Sequence, residues 1–151
     1  MQLLLVDDSP LFLEGLQTLL ETHGLDILDT ATSGPEALAS AERCLPDAVL
    51  MDIDMPGMDG IEATRRFKAR WPTLPVVMMT QCEGSSALYE ALSAGATGYL
   101  VKGQPACNLL ASLHMLERGA APLSPGLAAR FLEELDRRSQ LRNLMNTALK
   151  A

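Results

Sequence analysis

The sequence predicts an α/β protein: a doubly wound, five-stranded parallel sheet with a C-terminal helical extension. Three observations carry that expectation. Short apolar runs of strand length alternate with segments whose apolar residues recur at helical spacing, five times in succession. The runs are apolar throughout, as strands covered on both faces are, which implies a parallel sheet between two helical layers. At 151 residues the chain can bury one real core and is too short for two full-sized ones. Right-handed crossovers leave few topologies for such a chain, and the strand order 2-1-3-4-5 fits its size.

The elements follow in order. Gln2 to Val6 is the first strand, and Leu11, Leu13, Leu16, Leu19 and Leu20 recur at helical spacing after Ser9, a natural N-cap, and Pro10, suited to the first helical position. This helix stops near His23-Gly24. Leu25 to Ala31 reads as the second strand, Gly34 to Cys44 as a helix opened by Pro35, and Asp47 to Met51 as the third strand. A helix from Asp59 to Arg70 ends before Pro72, and Pro75 to Thr80 is the fourth strand. A helix from about Ser85 to Ser93, a turn at Gly95, a strand from Thr97 to Val101 and a helix from about Pro105 to Arg118 complete the pattern.

Composition narrows the function classes. The chain is 48% hydrophobic and 21% charged, without low-complexity tracts, as expected of a globular domain. No apolar run approaches the roughly 18 residues that span a bilayer, and the N-terminus lacks a signal-peptide pattern, so a cytoplasmic location without membrane contact is expected. Cys44, Cys82 and Cys107 are odd in number and widely spaced, which suits neither a disulfide framework nor a zinc site. Residues 1 to 60 hold twelve acids against one base, whereas residues 61 to 151 hold seven acids and eleven bases. That acidic first half speaks against nucleic-acid binding and for cations or basic partners.

Polar residues gather at the carboxyl ends of the strands, where open α/β sheets bind ligands. Asp7 and Asp8 follow the first strand, Asp52 ends the third, Thr80 ends the fourth and Lys102 follows the fifth. With the first and third strands adjacent, Asp7, Asp8 and Asp52 converge. Three such carboxylates repel unless a cation sits among them, and hard oxygen ligands with room for water suit Mg2+. A carboxylate so placed can also attack a phosphoryl group when a metal and a lysine neutralise the other oxygens.

The segments "LLVDDSP", "VLMDIDMPGMDGIEATRR", "VVMMT" and "AGATGYLVK", in that order across about residues 1 to 119, resemble the response-regulator receiver domain of two-component signalling, with its flavodoxin-like fold. The resemblance implies that Asp52 is the phosphoacceptor, that Asp8 and the backbone carbonyl of Asp54 ligate Mg2+ directly, and that Asp7 acts on the metal through water. It further implies that Lys102 contacts the phosphoryl group, that Thr80 moves to bind it, and that the Tyr99 ring changes rotamer with Thr80. By the same resemblance, Asp54 and Cys82 occupy the two variable positions expected to tune phosphate lifetime. The implied partner is a sensor histidine kinase or phosphotransfer protein.

The remainder, residues 120 to 151, reads as a helical extension or linker. Leu123 to Arg138 opens with Ser124 as N-cap and Pro125, and can pair Glu133 with Arg137 and Glu134 with Arg138. Its wording resembles the segment after the receiver in NarL/FixJ-type regulators, but the residues after Ser139 are too few for a helix-turn-helix domain, so this chain itself is not expected to bind DNA. Leu141, Leu144, Met145, Ala148 and Leu149 form a stripe rotated by roughly 100° from Leu127, Phe131 and Leu135, so the helix must bend, break near Ser139 or bury two faces. Homodimerisation through the receiver or this helix is one way to cover it. The alternative enzyme reading is a haloacid-dehalogenase-like phosphatase using Asp52-Ile53-Asp54, although Met55-Pro56 replaces the expected continuation and the motif ends the third strand, not the first.

Overall fold

A computed structural model describes residues 1–81, 85–120 and 125–150. Five strands, β1 (Gln2–Val6), β2 (Asp26–Ala31), β3 (Ala48–Asp52), β4 (Val76–Thr80) and β5 (Gly98–Val101), pair in parallel in the order β2-β1-β3-β4-β5. The helices between and after them are α1 (Pro10–Thr22), α2 (Gly34–Arg43), α3 (Gly60–Arg70), α4 (Ser85–Ser93), α5 (Ala106–Glu117) and α6 (Pro125–Lys150).

Strand periodicity divides the core into two layers. Leu4, Val6, Val49, Met51, Val76, Met78 and Tyr99 pack with Ala37 of α2, Phe67 of α3 and Leu88 of α4. The alternate residues Leu3, Leu5, Leu50, Val77 and Met79 pack with Leu13, Leu16 and Leu20 of α1 and Leu113 of α5. β3 and β4 are buried at every residue, as central strands of a doubly covered sheet must be. Met51, Met55, Met78 and Met79 fill this interior.

Side-chain caps set the helix starts. Ser9 Oγ accepts the Phe12 N–H at 3.2 Å with Pro10 in the first turn, and Asp59 caps α3 by accepting the Glu62 N–H at 2.8 Å. At the end of α1, His23 Nδ1 lies 2.9 Å from the Leu19 carbonyl oxygen. Several boundaries move by one residue from the sequence expectation. α2 starts at Gly34 as expected, with Ser33 accepting the Glu36 N–H and Pro35 in the first turn, and ends at Arg43, one residue before Cys44. β3 runs one residue further, since Asp52 still pairs in register with Met79 and the Ile53 N–H bonds the Met79 carbonyl at 3.0 Å.

The tail forms one continuous helix over Pro125–Lys150, so it does not break at Ser139. Nor does it bury two faces: Phe131 packs against α4, whereas Leu141, Leu144 and Met145 are exposed. The expected Glu134–Arg138 pair forms at 2.8 Å, but Arg137 turns to Glu134, at 2.6 Å, instead of Glu133. The expected cap Ser124 lies outside the described residues.

Candidate functional site

The carboxyl edge of β1 and β3 builds the site. Val6 and Met51 are register partners, so Asp7 and Asp52, each next in its chain, emerge side by side. Carboxylate oxygens of Asp7, Asp8 and Asp52 all lie within 4.8 Å of one another. Asp7 and Asp52 are buried, and Asp8 is exposed. Asp7 is fixed from two sides: Oδ1 accepts the Ser9 N–H at 2.9 Å, and Oδ2 receives Lys102 Nζ at 2.5 Å.

Lys102 also lies 3.3 Å from Asp52 Oδ1, so one ammonium bridges two buried carboxylates. Burial alone would lower its pKa, but Asp7 and Asp52 outweigh that cost and hold it above the ordinary lysine value. One cation does not balance two anions. Burial, and then the charge of Asp7, push the Asp52 carboxyl up to about 6 against the opposing pull of Lys102 and the Asp54 N–H.

A cleft of about 560 Å³ opens here, lined by Asp7, Asp8, Asp52, Asp54, Gln81 and Lys102 among others. The Asp54 N–H points to Asp52 Oδ1 at 3.3 Å. Thr80 is buried just beneath, and its carbonyl accepts the Lys102 N–H at 2.6 Å, tying the loop after β5 to the end of β4. Tyr99 is fully buried in the same core layer as Leu88 and Ala91 of α4, away from the cleft wall. Cys82 lies outside the described residues.

Two residues of the site are not singled out by the sequence pattern. Gly60, at the start of α3, donates its N–H to the Ile53 carbonyl at 2.9 Å, and a Cβ there would stand 2.1 Å from the Asp52 carbonyl oxygen. The Asp59-Gly60 pair after the turn is the signal, since such close backbone approach demands glycine. Phe12 places its ring over Lys102 Nζ, 4.3 Å from the centroid, and its register among the leucines of α1 disguises it as core.

All donors in the nest are oxygens, one carboxylate faces solvent, and the cleft has room for water and phosphate oxygens. This set fits a hard divalent cation such as Mg2+ better than a softer metal. Fold and site together define an α/β module with a buried carboxylate, a lysine and a metal-competent acid nest at the carboxyl edge of its sheet.

The family is now explicit. A family model, Response regulator receiver domain, matches residues 3–114, and the chain belongs to that family. It is 36% identical over 144 residues to "Transcriptional regulatory protein LnrK" of Bacillus subtilis (strain 168), covering 95% of this chain and 66% of that protein. The chain thus spans just under two thirds of that relative's length. Among solved structures, a LuxR-family two-component response regulator from Aurantimonas sp. SI85-9A1 superposes with TM-score 0.81 at 31% identity, over 88% of this chain and 96% of that one. CheY of Borrelia burgdorferi, in its complex with CheX, BeF3− and Mg2+, superposes with TM-score 0.72 at 27% identity, over 77% of this chain and 88% of that one. None of these matches supports the phosphatase reading.

Proposed function

We propose that the chain is a two-component response regulator whose Asp52 accepts a phosphoryl group from a sensor histidine kinase or phosphotransfer protein. The observation that carries this reading is the single ammonium of Lys102 held against both Asp7 and Asp52 at the rim of an oxygen-lined cleft. A phosphoryl group on Asp52 would take up that ammonium as the partner of its own oxygens.

The reaction follows from the placement. An Asp52 Oδ attacks phosphorus while the donor's bond to phosphorus breaks, its electron pair leaving with the donor, and an acyl phosphate forms. β3 pairing holds the Asp52 backbone during attack, and Lys102 neutralises charge on the phosphoryl oxygens from its side. Asp7, Asp8, Asp52 and the backbone of Asp54 would hold Mg2+, which when bound supplies charge neutralisation at the phosphoryl oxygens.

Phosphorylation adds roughly −1.5 to −2 charges and new acceptor oxygens. Thr80, next to the cleft, moves toward them, and Tyr99, packed beneath α4, follows. Asp54 and Cys82 tune how long the phosphate survives. Residues 1–119 form the receiver, and residues 120–151 are the extension through which α4 is read. The output is a protein contact, including dimerisation, and where the chain is part of a longer regulator such as LnrK it is transcriptional control.

Incubation with acetyl phosphate and Mg2+, followed by intact-mass measurement, tests the reading. The expected result is one added phosphoryl mass in wild type and none in Asp52→Ala. No added mass in wild type, or the same gain in Asp52→Ala, overturns it.

A further inference from the structure

We infer that Phe12 is a positioning residue for Lys102, holding the ammonium on the carboxylate side of the cleft through its aromatic face. The inference rests on Lys102 being the group that meets the phosphoryl oxygens. Among the described residues, Lys102 Nζ lies close to Asp7 Oδ2 at 2.5 Å, Asp52 Oδ1 at 3.3 Å and the Phe12 ring, 4.3 Å to its centroid. Its side chain is only 10% exposed.

The electron-rich ring face attracts the cation electrostatically, and it also takes the place of water that would otherwise solvate and screen it. A lysine is a flexible four-carbon stem with a compact charge, so its aim depends on what surrounds the ammonium. The ring's own aim is built in. Ser9 Oγ accepts the Phe12 N–H at 3.2 Å, and the Ser9 N–H is donated to Asp7 Oδ1 at 2.9 Å. One capping serine therefore sets both the carboxylate and the ring that bracket Lys102. When a phosphoryl group arrives on Asp52, the ammonium need not be recruited from solvent.

The test uses the full chain with Phe12→Leu and Phe12→Met, which keep an apolar side chain and lose the π-face, and Phe12→Tyr, which restores the face. Two quantities are read: the rate of mass gain with acetyl phosphate and Mg2+, and the NMR shifts of the Lys102 ε-methylene and Nζ groups. Wild type and Phe12→Tyr should show the upfield displacement a ring face imposes, and should phosphorylate within about twofold of each other. Phe12→Leu and Phe12→Met should lose the displacement and phosphorylate about 3- to 30-fold more slowly, the span between an exposed and a desolvated cation–π contact. Wild-type rates in Leu and Met variants, or slow rates with unmoved Lys102 shifts, overturn the inference. If wild type itself gains no mass while its Lys102 shifts depend on Phe12, the positioning stands and the phosphoacceptor reading fails.

Discussion

Phe131 of α6 stacks on Tyr89 of α4, with ring centroids 6.1 Å apart and planes 29° apart. Arg138, two turns further along α6, lays its guanidinium 3.9 Å from the centroid of the same Tyr89 ring and 3.6 Å from Glu90. α4 thus carries the buried neighbours of Tyr99 on one side and α6 on the other. Phe131→Ala should lower stability by about 1–2 kcal/mol, the sum of lost area and lost stacking, in urea denaturation. It should also speed amide exchange in α4 more than in α1. Equal exchange changes in both helices would show that α6 is not coupled to α4.

Asp52 should make the metal-free protein more stable in mild acid. Its carboxyl sits at about 6 in the folded chain against 3.8 unfolded, so between those values the folded state binds more protons. Stability therefore falls as pH rises through 6 and recovers as pH drops toward 4, by on the order of 1–3 kcal/mol. Thermal melts in a chelator between pH 4 and 8 check this, and Asp52→Asn should remove that part of the slope. Mg2+ needs the ionised carboxylate, so its affinity should decline about tenfold per unit below pH 6, measured by calorimetric titration.

Lys102→Ala should be costly in two ways. It leaves Asp7 and Asp52 facing each other without a cation, both with less than 5% of their surface exposed. Removing one partner of a buried pair costs about 3–5 kcal/mol when the remaining charge stays uncompensated. The loss measured at pH 8 without Mg2+ should shrink at pH 5, where Asp52 takes a proton, and shrink again at pH 8 when Mg2+ is added. Lys102→Arg keeps the charge but not the compact point-like head, so its stability should lie between the two.

Strand and helix identities, the sheet order and the acid nest were legible because each rests on local pattern. Apolar runs mark β3 and β4, Ser9 and Asp59 mark helix starts, and Asp7 and Asp52 meet as soon as β1 and β3 are neighbours. Residues whose role depends on a contact away from the strand ends were not legible. Phe12 sits in a leucine-rich helix and gains meaning only when Lys102, ninety residues on, arrives over its ring. The fate of α6 was likewise hidden: its two stripes were visible, yet only the positions of Tyr89 and Glu90 decide that Phe131 docks while Leu135, Leu141, Leu144 and Met145 stay exposed.

Gly60→Ala should damage the site from behind. Gly60 has no need of a left-handed backbone; the constraint is space. An added Cβ would stand 2.1 Å from the Asp52 carbonyl oxygen and 2.8 Å from Ile53 Cα, both backbone atoms locked by pairing of β3 with β4 and unable to yield as a flexible side-chain tip would. The helix must then back away from the strand and stretch the 2.9 Å bond from Gly60 N–H to the Ile53 carbonyl. Overpacking of this kind costs about 1–3 kcal/mol. Because the displaced backbone carries Asp52 and leads to Asp54, Mg2+ affinity should fall as well, by about tenfold for each 1.4 kcal/mol of binding lost. Gly15→Ala, in open space within α1, is the control: helix propensity predicts a neutral to stabilising change of up to about 1 kcal/mol. Thermal denaturation and Mg2+ titration of the two variants side by side decide the matter, and a Gly60→Ala protein as stable as Gly15→Ala would show that α3 does not press on Asp52.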